Sequence, residues 1–268
     1  MKEMITSTQN PLVKEILVLH EKSRERNRRQ LILIEGVKEI SLAVAASVVF
    51  ERVIFQPKLI TEEQVRHLCG ASAMTETAFI PASEQVYAKI SYRESTGGVV
   101  ILAKKPQLQL TDLSVKNNSV FIILESVEKP GNLGAICRVA DGAGAAGVIV
   151  CDPRTDIFNP NAIRASLGCV FTTNVVTSDF NSVQEWLKKR SIRSYAAELT
   201  ASTYYQETDL SGKIALVFGT EATGLTGQWI EGADHRIKIP MRGIIDSLNV
   251  TTSVAILTYE AMRRRNFQ

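Results

Sequence analysis

Three short segments of this chain place glycine, asparagine and charged side chains at the ends of hydrophobic runs, where α/β proteins collect ligand-binding groups. In Pro130-Gly131-Asn132-Leu133-Gly134-Ala135-Ile136-Cys137-Arg138 a turn leads into a helix whose first N–H groups lack partners, and Arg138 interrupts a run that is otherwise apolar. In Phe218-Gly219-Thr220-Glu221-Ala222-Thr223-Gly224-Leu225 two glycines let a ligand come close to the backbone. Glu221 adds a carboxylate that can accept hydrogen bonds from sugar hydroxyls or orient an arginine. The third segment is Ile239-Pro240-Met241, followed by Ser247-Leu248-Asn249-Val250. Asp246 or Ser247 suits the N-cap of a final helix, which leaves Asn249 inside its first turn, where asparagine is a poor helix former.

The elements that must hold these segments alternate between strand and helix. Val120-Phe121-Ile122-Ile123-Leu124 is an uninterrupted apolar run of the kind buried on both faces in parallel sheets. Helix 132–143, strand 148–150, a helix around 183–189, strands 214–218 and 236–239, and a helix over 247–264 follow. These repeats predict a mostly parallel sheet with helices on both faces. Upstream, a helix capped by Asn10-Pro11, strands over 31–34, 52–55 and 98–102, and helices at 62–68 and 83–90 predict a smaller α/β unit. The expected division is a first domain over 1–105, a linker over 106–118 and a second domain over 119–268.

Several classes lose support. Gly142-Ala143-Gly144-Ala145-Ala146-Gly147 fits GxGxxG, but it ends a helix and precedes a strand, whereas a dinucleotide fingerprint follows a strand and opens a helix. It reads as a helix C-terminus and tight turn, so a nucleotide-dependent oxidoreductase loses its main support. Cys69, Cys137, Cys151 and Cys169 show no CxxC spacing and the three histidines are scattered, so no metal is expected. The apolar stretch Leu42–Phe50 is too short to span a bilayer, and Met1-Lys2-Glu3-Met4 runs into polar residues rather than a secretory signal. The expected location is a reducing cytoplasm.

The net charge of +3 is unevenly distributed: residues 1–105 hold 15 Lys and Arg against 12 Asp and Glu, whereas residues 106–268 hold 16 of each. Lys14, Arg24, Arg26, Arg28 and Arg29 contribute to this excess. They are either a solvated helix face or a set of phosphate contacts.

The ordered set of three segments resembles the signature motifs of the SpoU/TrmH branch of the SPOUT methyltransferases, which methylate ribose 2′-hydroxyls of RNA. Ala222 departs from the glycine or lysine common there. The resemblance implies S-adenosylmethionine as cofactor, held by backbone around Gly219, Ile239 and Leu248. It implies a catalytic set of Arg138, Asn132, Glu221, Ser247 and Asn249. It also implies a trefoil knot in the second domain, a homodimer, and a small ribosomal-protein-like RNA-binding domain ahead of it, with Lys14, Arg24, Arg26, Arg28 and Arg29 on RNA. The reaction is then an in-line displacement in which the protein aligns oxygen, methyl carbon and sulfur and helps remove a proton. Since an arginine stays protonated, Arg138 would steer a substrate phosphate or stabilise the developing alkoxide. Ribosomal RNA is the expected substrate and transfer RNA the alternative. An RNA-binding homologue without activity should lack one of the five catalytic positions, and all five are present.

Overall fold

The computed structural model describes residues 3–92 and 97–267. In chain order its elements are α1 (Pro11–Glu21), α2 (Ser23–Arg29), β1 (Leu31–Glu35), α3 (Val37–Ala45), β2 (Phe50–Phe55), α4 (Glu62–Cys69), β3 (Ala73–Pro81), α5 (Glu84–Ile90), β4 (Val99–Lys104), β5 (Val120–Glu125), α6 (Pro130–Ala143), β6 (Gly147–Cys151), α7 (Pro160–Ala165), α8 (Cys169–Thr172), β7 (Val175–Ser178), α9 (Phe180–Arg190), β8 (Arg193–Ala197), β9 (Thr203–Tyr204), β10 (Ile214–Phe218), α10 (Gly227–Gly232), β11 (His235–Lys238) and α11 (Val250–Arg263). They form two compact units, Met1–Pro106 with Phe158–Thr172, and Gln107–Ile157 with Thr173–Gln268.

The first unit holds a four-stranded sheet in the order β1-β4-β2-β3, antiparallel except for the parallel pair β2–β3. Asn10 starts α1 by accepting a hydrogen bond from the Leu12 N–H at 2.9 Å, and Val13, Ile16 and Leu19 recur at helical spacing on its buried side. They pack with Leu31, Leu33, Ile54, Val86, Val100 and Leu102 into one core. The segment carrying α7 and α8 belongs to this unit, with α7 beside β1 and α8 beside α3. A side chain on Gly168, whose φ is +88°, would come within 2.9 Å of the Glu39 Cα, so only glycine permits that approach. A division drawn between 105 and 119 does not contain this exchange of segments.

The basic run largely coincides with α2, and one of its arginines is not on the surface. Arg26 is 1% exposed, and its Nη1 donates to the carbonyls of Leu19 at 2.6 Å and His20 at 3.2 Å. Those carbonyls belong to the last turn of α1, where helical partners run out. Arg26 therefore holds α2 onto α1 and is withdrawn from the expected RNA contacts. Arg26→Gln is expected to lower unfolding free energy by about 1–3 kcal/mol, because the carbonyls lose a charged donor inside the protein. Denaturant titration measures this, and an unchanged midpoint and slope would contradict the assignment.

The second unit is built on seven parallel strands in the order β7-β6-β5-β10-β8-β11-β9. Every residue of β5 and β10 is buried, as expected of central strands in a parallel sheet. The chain runs outward from β5 through β6 to β7, and then crosses to the other side of β5 for β8. Such a reversal leaves the loops after neighbouring strands diverging, and opens a crevice at their carboxyl ends. Gly144 ends α6 in the left-handed conformation at φ 70°, and β6 follows, so the GxGxxG run is the helix stop expected from its order. Among the described residues no helix is long and apolar enough to cross a membrane.

Candidate active site

The first and second segments leave the carboxyl ends of neighbouring strands, since Leu124 of β5 lies opposite Phe218 of β10. Glu125, the last residue of β5, is buried and takes both the N–H (2.8 Å) and the hydroxyl (2.6 Å) of Thr226 on its carboxylate oxygens. This ties the end of the loop after β10 to the neighbouring strand. Within that loop, Thr220 and Gly224 exchange backbone hydrogen bonds at 3.1 and 3.0 Å, and the Thr220 hydroxyl accepts from the Thr223 N–H at 3.1 Å. The closure brings Gly224 against Gly219. A Cβ on Gly219 would lie 2.1 Å from the Gly224 carbonyl carbon and 2.3 Å from the Leu225 nitrogen.

Glu221 sits on this closed loop and joins all three segments. Its Oε1 accepts a hydrogen bond from the Asn132 amide at 2.9 Å and another from the Asn249 amide, while its Oε2 pairs with the Lys129 ammonium. The Lys129 contact is the main reason its carboxyl is held below the ordinary range, and Asn132 adds to this against partial burial. A depressed carboxyl stays charged at neutral pH, and the contacts it favours are lost only as pH falls through the lowered value.

Asn249 is placed differently from the sequence expectation. The last helix begins at Val250, not at 247, and Asn249 is its N-cap, with Oδ1 accepting from the Thr251 N–H at 2.9 Å. Its amide is thereby free to donate to Glu221, which accounts for an asparagine where the helix interior would disfavour one. Asn132, by contrast, is not a cap: α6 begins at Pro130, so Asn132 lies in its first turn with its amide pointing to Glu221.

A cavity of about 430 Å³ opens beside Glu221. Gly219, Ile239 and Leu248 all line it, as do Glu221 and Ser247. Its wall carries Leu199, Phe218, Ile230, Ile237, Met241 and Val250, and its charged groups are Glu198, Glu221 and Asp246 against Lys238. A smaller cavity of about 80 Å³ adjoins it and is lined by Lys129, Asn132, Glu221 and Val250 among others. S-adenosylmethionine fits this chemistry: the apolar wall suits an adenine ring, and the excess of carboxylates suits a sulfonium and an ammonium. Glu198 Oε2 is buried with no hydrogen bond among the described residues, its ion-pair partner being Arg236 Nη1 at 3.8 Å, and can take a hydroxyl or amine donor.

Arg138 is not brought into this group. It is exposed on α6 with no hydrogen bond or ion pair among the described residues, and it lines neither cavity. Six residues of helix turn it roughly 240° from the direction of Asn132. Ser247 is exposed, and its hydroxyl donates to Asp246 at 3.0 Å. Of the basic set, Lys14, Arg24, Arg28 and Arg29 are exposed. Lys129 and Glu125 were not foreseen; the signals were a lysine directly before Pro130 and a charge ending an apolar strand.

Residues 119–259, more than half of the chain, match the family model described as the SpoU rRNA Methylase family. The chain belongs to the SpoU rRNA methylase family. Residues 10–101 of this SpoU methylase match the MRM3-like substrate binding domain. It is 28% identical over 259 residues to the 23S rRNA (guanosine(2553)-2′-O)-methyltransferase RlmP of Bacillus subtilis, covering 96% of this chain and 98% of that one. A crystal structure of an RNA 2′-O ribose methyltransferase superposes with a TM-score of 0.83 at 34% identity, covering 98% and 100% of the two chains. A structure of an AdoMet-bound rRNA methyltransferase from Sinorhizobium meliloti gives 0.89 at 27% identity, covering 98% of each.

Proposed function

We propose that this SpoU methylase transfers a methyl group from S-adenosylmethionine to a ribose 2′-hydroxyl of ribosomal RNA in the cytoplasm, working as a homodimer. The observation carrying this reading is the single carboxylate, Glu221, that ties Asn132, Asn249 and the Gly219 loop together at the mouth of the cavity. When bound, the cofactor supplies an already activated methyl group, so the protein's task is alignment and proton removal. Backbone at Gly219, Ile239 and Leu248 holds the cofactor. Asn132, Glu221 and Asn249 fix the loops against one another, and Ser247 stands at the cavity edge where the ribose enters. A 2′-hydroxyl as the acceptor restricts the enzyme to RNA.

Arg138 faces away from the Glu221 of its own subunit, which supports a role in the site of a second copy. There it steers the phosphate beside the target ribose or stabilises the developing alkoxide. Ribosomal rather than transfer RNA is favoured because relatives matched along nine-tenths or more of the chain include two named for 23S rRNA and a structure named for rRNA.

The test is methyl transfer from labelled cofactor to ribosomal and transfer RNA taken from cells lacking the gene, with each 2′-O-methyl position mapped. New modification at one ribosomal site is expected. Label on transfer RNA alone would replace the substrate, and label on a base would overturn the reaction.

A further inference from the structure

An open hollow on the first unit has no part in the chemistry described so far. It encloses about 680 Å³ and is lined by Pro11, Leu12, Lys14 and Val18 of α1, together with Arg29 and Arg52. Arg29 belongs to the basic run on α2, but Arg52 comes from β2, and nothing in the sequence connects the two. Glu15 joins them: its Oε1 accepts from Arg29 Nη1 at 3.0 Å and its Oε2 from Arg52 Nη1 at 2.7 Å.

One carboxylate thus aims two guanidinium groups at the same hollow, and each retains donors that it does not use. Arg52 makes no bond through Nε or Nη2, and Arg29 none through Nη2, among the described residues. Both side chains remain one-third exposed. Lys14 adds an exposed ammonium with no partner among the described residues. Lys14, Arg28, Arg29 and Arg52 face only the carboxylates of Glu15 and Glu25, which leaves two positive charges uncompensated around the hollow. Half-buried Leu12 and Val18 supply apolar surface between the charges.

We infer that this hollow seats a backbone phosphodiester of the substrate RNA, bound by Lys14, Arg29 and Arg52, with Glu15 as the group that orients the two arginines. A phosphodiester matches the site because it offers acceptor oxygens to several donors at once and carries a single charge per nucleotide, while the apolar floor takes the adjoining sugar or base. Arg24 and Lys22 are exposed on the same stretch but do not line the hollow, so contacts are not spread evenly along the basic run. This inference rests on RNA being the substrate.

The experiment measures the affinity of the full-length protein for unmodified 23S ribosomal RNA across a salt series, by fluorescence anisotropy. Lys14→Gln/Arg52→Gln is compared with the charge-matched Lys38→Gln/Lys89→Gln, two exposed lysines of the same unit outside the hollow. For single strands each phosphate contact contributes about 0.7 to the slope of log affinity against log salt, so the first variant should lose about 1.4. The second should stay close to the parent, and both should keep the parent's cofactor affinity and melting temperature. Equal losses in the two variants would overturn the seat, since net charge alone would then suffice. Binding of polyglutamate by the parent more tightly than RNA, lost in Lys14→Gln/Arg52→Gln, together with an RNA slope unchanged in that variant, would overturn it in favour of an acidic protein partner. Should the parent methylate no RNA, the proposed function fails, whereas the seat stands or falls on the slope difference alone.

Discussion

Replacing Gly219 by valine is expected to cost most of the affinity for S-adenosylmethionine while leaving the protein folded. The reason lies within the loop before it concerns the cofactor. A Cβ at this position would stand 2.1 Å from the carbonyl carbon of Gly224 and 2.2 Å from its oxygen, distances that no backbone tolerates. The loop must open, and with it go the Thr220–Gly224 bonds, the wall of the cavity and the placement of Glu221. Because the clash begins at Cβ, Gly219→Ala is expected to behave almost as badly as Gly219→Val. Cofactor affinity should fall by roughly a hundredfold or more, about 2.8 kcal/mol. The loop is exposed from Glu221 to Gly224 and lies outside the hydrophobic core, so the unfolding midpoint should move little. Calorimetric titration and thermal melting of the two variants provide the measurement. Parental affinity in Gly219→Ala would show that the cofactor binds elsewhere.

Arg138→Ala separates chemistry from binding. The residue touches neither cavity and has no partner among the described residues, so its loss should leave both fold and cofactor affinity unchanged. If it acts on the ribose or its phosphate in the site of a second copy, turnover should fall by roughly two to three orders of magnitude, the range seen when a transition-state donor is removed. Co-assembly with Glu221→Gln protomers then distinguishes a shared site from a private one. In a shared arrangement each mixed dimer has one site with both residues intact and regains turnover. In a private arrangement every site is damaged and none returns. Turnover within a few-fold of the parent in Arg138→Ala alone would remove this residue from the mechanism.

The parallel sheet was legible because β5 and β10 are buried on both faces, and burial of that kind writes an uninterrupted apolar run into the chain. Strands without that signature were not visible. In β8 (Arg193–Ala197), Ser194 is fully satisfied by Asp234 from a distant part of the chain, and its neighbours give no alternating or continuous pattern. Likewise β3 (Ala73–Pro81) mixes polar and apolar residues without a period. The order of the three motifs and the glycine positions were also open to reading, since they depend on backbone geometry within a few residues.

What joins the site is a matter of tertiary structure alone. Glu221 meets Asn132 across 89 residues and Asn249 across 28, and its cation is Lys129, at the N-cap of α6, rather than Arg138, which α6 turns away from Asn132. The same holds for charge in the first unit. By sequence Arg26 is one of four arginines in a short run, yet helix packing buries it on the carbonyls of α1 and leaves its neighbours outside. Arg52, alone in a strand, is drawn to Arg29 by Glu15. Propensity and hydrophobic period act along the chain and fixed the elements; which side chains meet depends on how those elements pack, and no local pattern encodes it.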